Sequence, residues 1–358
     1  MNNGAADFLS LFLAPVGAYL SDDSVSEILI NGPSQVYIER RGRLERCPET
    51  FVSESALRAA AVNIARSVER LLDEAHPDLD ARLPDGSRVH ATIPPISRVG
   101  TVISIRKFKK DALSIESLMK FGSFNEEGRQ ILDALVKLRK NTIVSGGTGS
   151  GKTTVLNCLS SLIPEGDRIL VLEDSSELQL KQPHTVYFEA RKPDKNGKGE
   201  FAIRDLVIAS LRLRPDRIVV GEIRGGEAID LLQAMNTGHD GSMSTIHANT
   251  PVDTLARLET CAIMSGIDFP LSAIRSQVAS AVHAIVQTAR LPDGSRKIVS
   301  IAEVLPLEQG EYRVRTIYRW KTLSVTPDGG LTGRHEVCDR PSFLEDARVM
   351  GLPLPWAD

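Results

Sequence analysis

Gly146-Gly147-Thr148-Gly149-Ser150-Gly151-Lys152-Thr153 follows the apolar stretch Thr142–Ser145 and runs into the helical stretch Thr154–Leu162. The spacing is G-x-x-x-x-G-K-[ST] between a strand and a helix, which is the setting a phosphate-binding loop requires. Glycines let the backbone wrap phosphate with its N–H groups, and the helix N-terminus adds a favourable field. Lys152 is then the cation for the β- and γ-phosphates and Thr153 the Mg²⁺ ligand, so Gly146 through Thr154 is the expected nucleotide site, with ATP and Mg²⁺ as cofactors. The alternative, a glycine-rich turn beside a surface lysine, needs neither the strand nor the helix.

Outward from the loop, short apolar runs alternate with helical stretches: Thr142–Ser145, Arg168–Leu172, Thr185–Glu189, Arg217–Val220, Ser242–Ile246 and His283–Ala289. That alternation predicts a mainly parallel α/β sheet. Ligands of such sheets bind beyond the carboxyl ends of the strands, where this sequence places Glu173-Asp174 with Glu177, and Glu222. Hydrolysis needs a positioned water and neutralised charge, so Glu173 and Glu222 are candidate catalytic groups, Glu222 also a candidate for the metal. A surface glutamate, or a helix-start acidic pair, is the blander reading of each. His239 and His247 bracket the run Gly241–Ile246. His247 is a candidate to touch the γ-phosphate or its water.

The earlier part of the chain reads differently. Val25–Ile30 and Val36–Glu39 are strands separated by Asn31-Gly32-Pro33, with a turn at Arg41-Gly42. Ser53 is an N-cap for a helix whose apolar face, Leu57, Ala61, Ile64, Val68, Leu71 and Leu72, continues to about Leu72. Strands at Ala81–Leu83, Arg88–Ile93 and Val99–Phe108 follow, the first two joined by the turn Pro84-Asp85-Gly86-Ser87. The expected organisation is an α+β domain over residues 1–112, a linker and leading helix over 113–140, and the α/β domain with a C-terminal extension over 141–358.

Composition narrows the function classes. A net charge of −3 offers no basic field, and 5% aromatic residues leave little stacking surface, so no specific nucleic acid is expected as a partner. The four cysteines are scattered without a C-x-x-C pair, which argues for reduced thiols rather than zinc or disulfides. The longest apolar stretch near the start, Phe8–Leu20, is too short to span a bilayer and contains Pro15 and Gly17. A cytoplasmic protein is expected.

Taken in order, four boxes resemble the ATPases of type II and type IV secretion and pilus assembly: Gly146–Thr154, Leu172–Leu178, Val219–Arg224 and Gly238–Asn249. The third is an atypical Walker B ending in Gly221-Glu222, and the fourth a histidine box. Val25–Gly32, Leu83–Val89, Ile93-Pro94-Pro95 and Ile105–Phe108 look most like the tight-adherence (Tad/Flp) pilus branch, with the type IV secretion branch as its neighbour. The resemblance implies a RecA-like P-loop NTPase domain preceded by a smaller α+β N-terminal domain. It also implies a homohexameric ring docked on polytopic inner-membrane proteins. Arginines of the N-terminal domain complete the site in such proteins; the candidates are Arg82, Arg88, Arg98 and Arg106, with Arg106 and Arg88 in the most family-like surroundings. A RecA-type DNA translocase and a nucleotide-sensing scaffold without turnover are the competing readings.

Overall fold

The computed structural model describes residues 12–40, 42–83, 85–108, 113–193, 197–326 and 330–356. The expected turn residues Arg41 and Pro84, and the start of the Phe8–Leu20 stretch, lie outside them. Two compact units are formed, Met1–Asp111 with Pro193–Glu200, and Ala112–Lys192 with Phe201–Asp358.

In the first unit six antiparallel strands are ordered β3-β2-β1-β6-β5-β4. They are β1 (Val25–Asn31), β2 (Val36–Arg40), β3 (Arg43–Cys47), β4 (Asp78–Arg82), β5 (Arg88–Thr92) and β6 (Val102–Arg106). Period-two alternation puts Ile28, Ile30, Ile38, Val89, Ala91, Ile103 and Ile105 on one buried face. Leu57, Ala61 and Ile64 of helix Glu54–Ser67 share that core. The Ser53 hydroxyl caps this helix by accepting from Ala56 N at 3.1 Å. Two details correct the sequence reading. The helix stops at Ser67 rather than near Leu72, because Arg70 N bonds Ala65 O at 2.8 Å and the chain reverses, yet Leu72 still reaches the core. Strand β3 is the second: the sequence sets no bounds for a strand after the turn at residue 42, because four of its five residues are exposed and carry no alternation to read.

The second unit holds a nine-stranded sheet ordered β15-β14-β13-β12-β7-β11-β10-β8-β9. Its parallel part is β7 (Thr142–Gly146), β8 (Ile169–Glu173), β9 (Thr185–Glu189), β10 (Arg217–Val220), β11 (Met243–Ile246) and β12 (Ala284–Arg290). Successive residues of these strands enter different cores, Val144 and Val219 on one face, Ile143, Ile218 and Val220 on the other. Burial on both faces is the reason the runs are continuously apolar. Helices Ile115–Lys120 and Glu126–Lys137, in the stretch read as linker and leading helix, contribute Ile115, Leu118, Ile131 and Leu135 to the first of those cores. Three antiparallel strands then extend the sheet: β13 (Arg296–Glu308), β14 (Glu311–Val325) and β15 (Leu331–Val337). Among the described residues no helix is long and apolar enough to cross a membrane.

Candidate functional site

Strands β7, β8, β10 and β11 are parallel, so the residues that follow them gather at one edge of the sheet. From β7 the chain enters the loop Gly146–Gly151 and then helix Lys152–Ser160. Gly149 (φ +70°) and Gly151 (φ +96°) take left-handed backbone that a side chain would strain. No side chain caps this helix, whereas Ser53, Asn125 and Thr250 each cap theirs, so its first N–H groups remain for an anion. Gly147, Thr148 and Gly149 are exposed at the surface, and Thr153 and Thr154 are half-buried on the first turn.

The loop is braced from β12. Thr288 Oγ1 donates to Ser145 O at 3.0 Å and lies 2.8 Å from the Ser150 hydroxyl, which itself donates to Gly147 O at 2.8 Å. A Cβ on Gly146 would stand 2.4 Å from Thr288 O, so only glycine fits there. Lys152, only 8% exposed, folds onto its own loop, donating to Gly146 O at 3.1 Å and Gly147 O at 3.0 Å. Burial holds its ammonium below the ordinary lysine value, opposed by the charge of Glu222.

A run of polar contacts leads away from that ammonium. Lys152 Nζ is 3.3 Å from His247 Nδ1, and His247 Nε2 is 2.9 Å from Glu222 Oε1. Glu222 Oε2 accepts from Arg224 Nε at 2.8 Å and Nη2 at 2.5 Å, and Arg224 Nη1 is 3.7 Å from Asp174. Desolvation, then the charge of Lys152, pull His247 below the ordinary histidine value, so the neutral ring prevails at neutral pH. Glu222 Oε1 is buried and, despite the short approach of His247, has no hydrogen bond. An orphaned carboxylate oxygen beside a phosphate loop fits a metal or a positioned water. Among the described residues no cluster of three His, Cys, Asp or Glu could hold a metal alone, so the donor set fits an ion carried largely by nucleotide phosphates.

Glu173 is 3% exposed, and its Oε1 accepts from Glu177 N at 2.9 Å and Leu178 N at 3.0 Å, shaping the loop after β8. Burial raises its carboxyl to about 7 despite those two bonds. Folded Glu173 therefore keeps its proton to a higher pH than the unfolded chain does, and stability falls as pH rises from about 4.5 towards about 7. At about 1.4 kcal/mol per pK unit the loss is on the order of 3 kcal/mol. Glu173→Gln, which keeps the accepting oxygen, should remove that slope. Melting curves between about pH 5 and pH 8 test it, and parallel curves for the two proteins would refute it.

His239 stands apart, its Nδ1 3.3 Å from Ala234 O at the end of helix Glu227–Asn236. The candidate arginines belong to the first unit. Strand register sets Arg82 opposite Arg88, Arg88 opposite Arg106, and Arg106 opposite Glu27, in one row on one sheet face. Arg106 lies 3.6 Å from Glu27, and Arg98 lies in the connection between β5 and β6, outside the row. Two groups in the second unit escaped the sequence reading, Arg224 and Thr288. The Glu-x-Arg spacing at Glu222 signalled the first; only tertiary pairing of β12 with β7 reveals the second.

The family described as type II/IV secretion system protein matches residues 12–339. The chain belongs to that family. It is 37% identical over 307 residues to a Mycobacterium tuberculosis protein provisionally described as a conjugal transfer protein, covering 84% of this chain and 86% of that one. It is 31% identical to the type IV secretion system protein VirB11 of Bartonella quintana, covering 81% and 91% respectively. Among solved structures, the ATPase DotB of Legionella pneumophila shares the fold at a TM-score of 0.57 and 20% identity, covering 86% of this chain and 83% of that one. The secretion ATPase is thus an α/β protein whose Gly146–Gly151 loop joins β7 to the helix Lys152–Ser160.

Proposed function

We propose that the secretion ATPase is the subunit of a homohexameric cytoplasmic ring, in which ATP hydrolysis drives assembly of a type IV pilus of the Tad/Flp kind or type II/IV secretion. The observation that carries this reading is the unbroken run Lys152, His247, Glu222, Arg224, Asp174, which ties the phosphate loop to the loops after β8, β10 and β11. A nucleotide that draws Lys152 off the carbonyls of Gly146 and Gly147 also disturbs His247, and through it Glu222. Thr153, with Glu222 in support, would hold Mg²⁺, which when bound neutralises charge on the β/γ-phosphates. Gly147–Thr154 bind phosphate, His247 reads it, and Glu222 and Glu173 serve turnover. The Tad/Flp arm rests on Leu83–Val89 and Ile105–Phe108; the names of the Mycobacterium and Bartonella relatives favour the secretion arm. Polytopic inner-membrane proteins are the partners such a ring would push against.

Arg106 and Arg88 are assigned here to phosphate, because a planar guanidinium matches phosphate oxygens in a fork. Head-to-tail rings bring different surfaces of neighbouring copies together, so a site in one copy can be completed from another. Arg106→Ala should lower turnover on the order of tenfold, the worth of one charged hydrogen bond among several. Exposed Arg46 on β3 is the control. Light scattering should show a hexamer with ATP and Mg²⁺, and turnover is compared at equal hexamer fraction. Equal hydrolysis by Arg106→Ala and Arg46→Ala removes the assignment, and a monomer under all conditions removes the ring.

A further inference from the structure

One octapeptide occurs twice in the chain. Ala-Arg-Leu-Pro-Asp-Gly-Ser-Arg stands at residues 81–88 in the first unit and again at 289–296 in the second. Both copies join two antiparallel strands, and both fold alike where described. Leu83 N bonds Ser87 O at 2.7 Å, and Leu291 N bonds Ser295 O at 2.8 Å. The aspartate of each turn accepts from the backbone N–H of the serine two residues on, at 2.9 Å in both. Gly86 (φ +91°) and Gly294 (φ +83°) take the same left-handed backbone. The outcome is also the same: two arginines directly opposite each other at the end of the hairpin, Arg82 with Arg88 and Arg290 with Arg296.

The second copy stands on the phosphate loop of its own unit. Arg296 Nε donates to Gly149 O at 2.8 Å, and Arg296 Cδ lies 3.5 Å from where a Cβ on Gly151 would be. Arg290 Nη1 lies 3.9 Å from the corresponding point on Gly149. The hairpin is held there firmly. Ser123 Oγ donates to Arg296 O at 2.9 Å, Leu331 N donates to Asp293 at 3.2 Å, and Thr288, two residues before Arg290, is bonded to the loop at Ser145 and Ser150. Both arginines are exposed, and a Cβ on Gly147 would meet nothing within 4 Å. Among the described residues no carboxylate pairs with Arg296, and its contact with Gly149 uses only Nε.

We propose that Arg290 and Arg296 form a phosphate-contacting pair for a nucleoside di- or triphosphate on the Gly146–Thr153 loop, supplied by the same unit as the loop itself. This rests on the nucleotide-site reading above and adds to it a cation source that needs no neighbouring subunit. Because the pair approaches the loop at Gly149 and Gly151, it serves ADP as well as ATP, and it acts on affinity rather than on the chemical step.

The test is titration of ADP and of ATP, with Mg²⁺, into the full-length wild type and the variants Arg296→Ala, Arg296→Lys and Arg290→Ala, each at low and high salt. Each alanine variant should weaken both nucleotides about tenfold, the worth of a charge-assisted hydrogen bond. Loss of affinity on adding salt should be shallower than in wild type, and Arg296→Lys should recover part of both. A lowered affinity with the wild-type salt dependence means the arginines only shape the loop, and overturns the proposal. So does wild-type affinity in both alanine variants. Where Arg296→Ala does not fold, Arg290→Ala, which removes no bond to Gly149, decides alone. Wild type that fails to bind ADP removes the nucleotide site itself; wild type that binds while the variants bind equally removes only the pair.

Discussion

Lys152→Ala is expected to lose ATP binding and turnover by on the order of a hundredfold or more, the scale seen when a cation or donor aimed at developing charge is removed, with little change in folding. The ammonium is held between Gly146 O, Gly147 O and His247 Nδ1, inside hydrogen-bond range of all three. None of these partners carries a full negative charge. A phosphate competes well for that cation, since a charged acceptor makes the stronger hydrogen bond. Alanine takes away the only side-chain cation of the loop's own sequence, and Arg224 does not replace it, being engaged with Glu222 and Asp174. The loop itself should survive, because Ser150 and Thr288 brace Gly147 and Ser145 independently of the lysine. Nucleotide titration beside a melting curve measures both halves. Wild-type affinity in a folded Lys152→Ala protein would refute the phosphate-loop assignment, whereas a large fall in melting temperature would show the lysine to be structural.

What could be read from the sequence followed from local periodicity and motif spacing. Thr142–Ser145, Arg217–Val220 and Met243–Ile246 are legible because strands buried on both faces must be apolar throughout. The phosphate loop is legible because positive-φ backbone demands glycine at fixed offsets. The sequence does not resolve the extension after β12 into strands, and the reason is visible in β14, where Glu311, Arg313, Arg315 and Arg319 interrupt any apolar face. Its best local sign was Gln309-Gly310, both at positive φ, the backbone of a tight hairpin turn. Which charged groups meet is a different kind of fact. Glu222 touching His247, or Arg296 touching Gly149, depends on strand order, and no window of sequence carries that order. Glu173 shows the same limit from the other side. Its position at a strand end makes it a catalytic candidate, while its two bonds to Glu177 N and Leu178 N give it a loop-shaping task that sequence position does not reveal.

Glu222→Gln should separate binding from hydrolysis. In the proposed site phosphate is held by backbone N–H groups and Lys152, neither of which the substitution removes, so nucleotide affinity should stay within a few-fold of wild type. On the same proposal turnover depends instead on the carboxylate charge. One oxygen of Glu222 is anchored by Arg224 through two hydrogen bonds, which fixes the plane of the group. The other, Oε1, is buried, faces His247 at 2.9 Å and has no hydrogen bond, leaving it able to orient a water or support the metal. Glutamine keeps the size but offers a weaker acceptor at one position and an N–H donor at the other. It also releases Arg224, which is exposed enough to be solvated and retains Asp174, so the fold should tolerate the change. A fall in kcat on the order of 10²–10³-fold is expected, the usual worth of one preorganised electrostatic group. Single-turnover hydrolysis measured beside ADP titration reads the two quantities separately. Equal loss of affinity and rate would make Glu222 a structural support for the phosphate loop, and an unchanged rate would move the water-positioning role elsewhere, with Glu173 next in line.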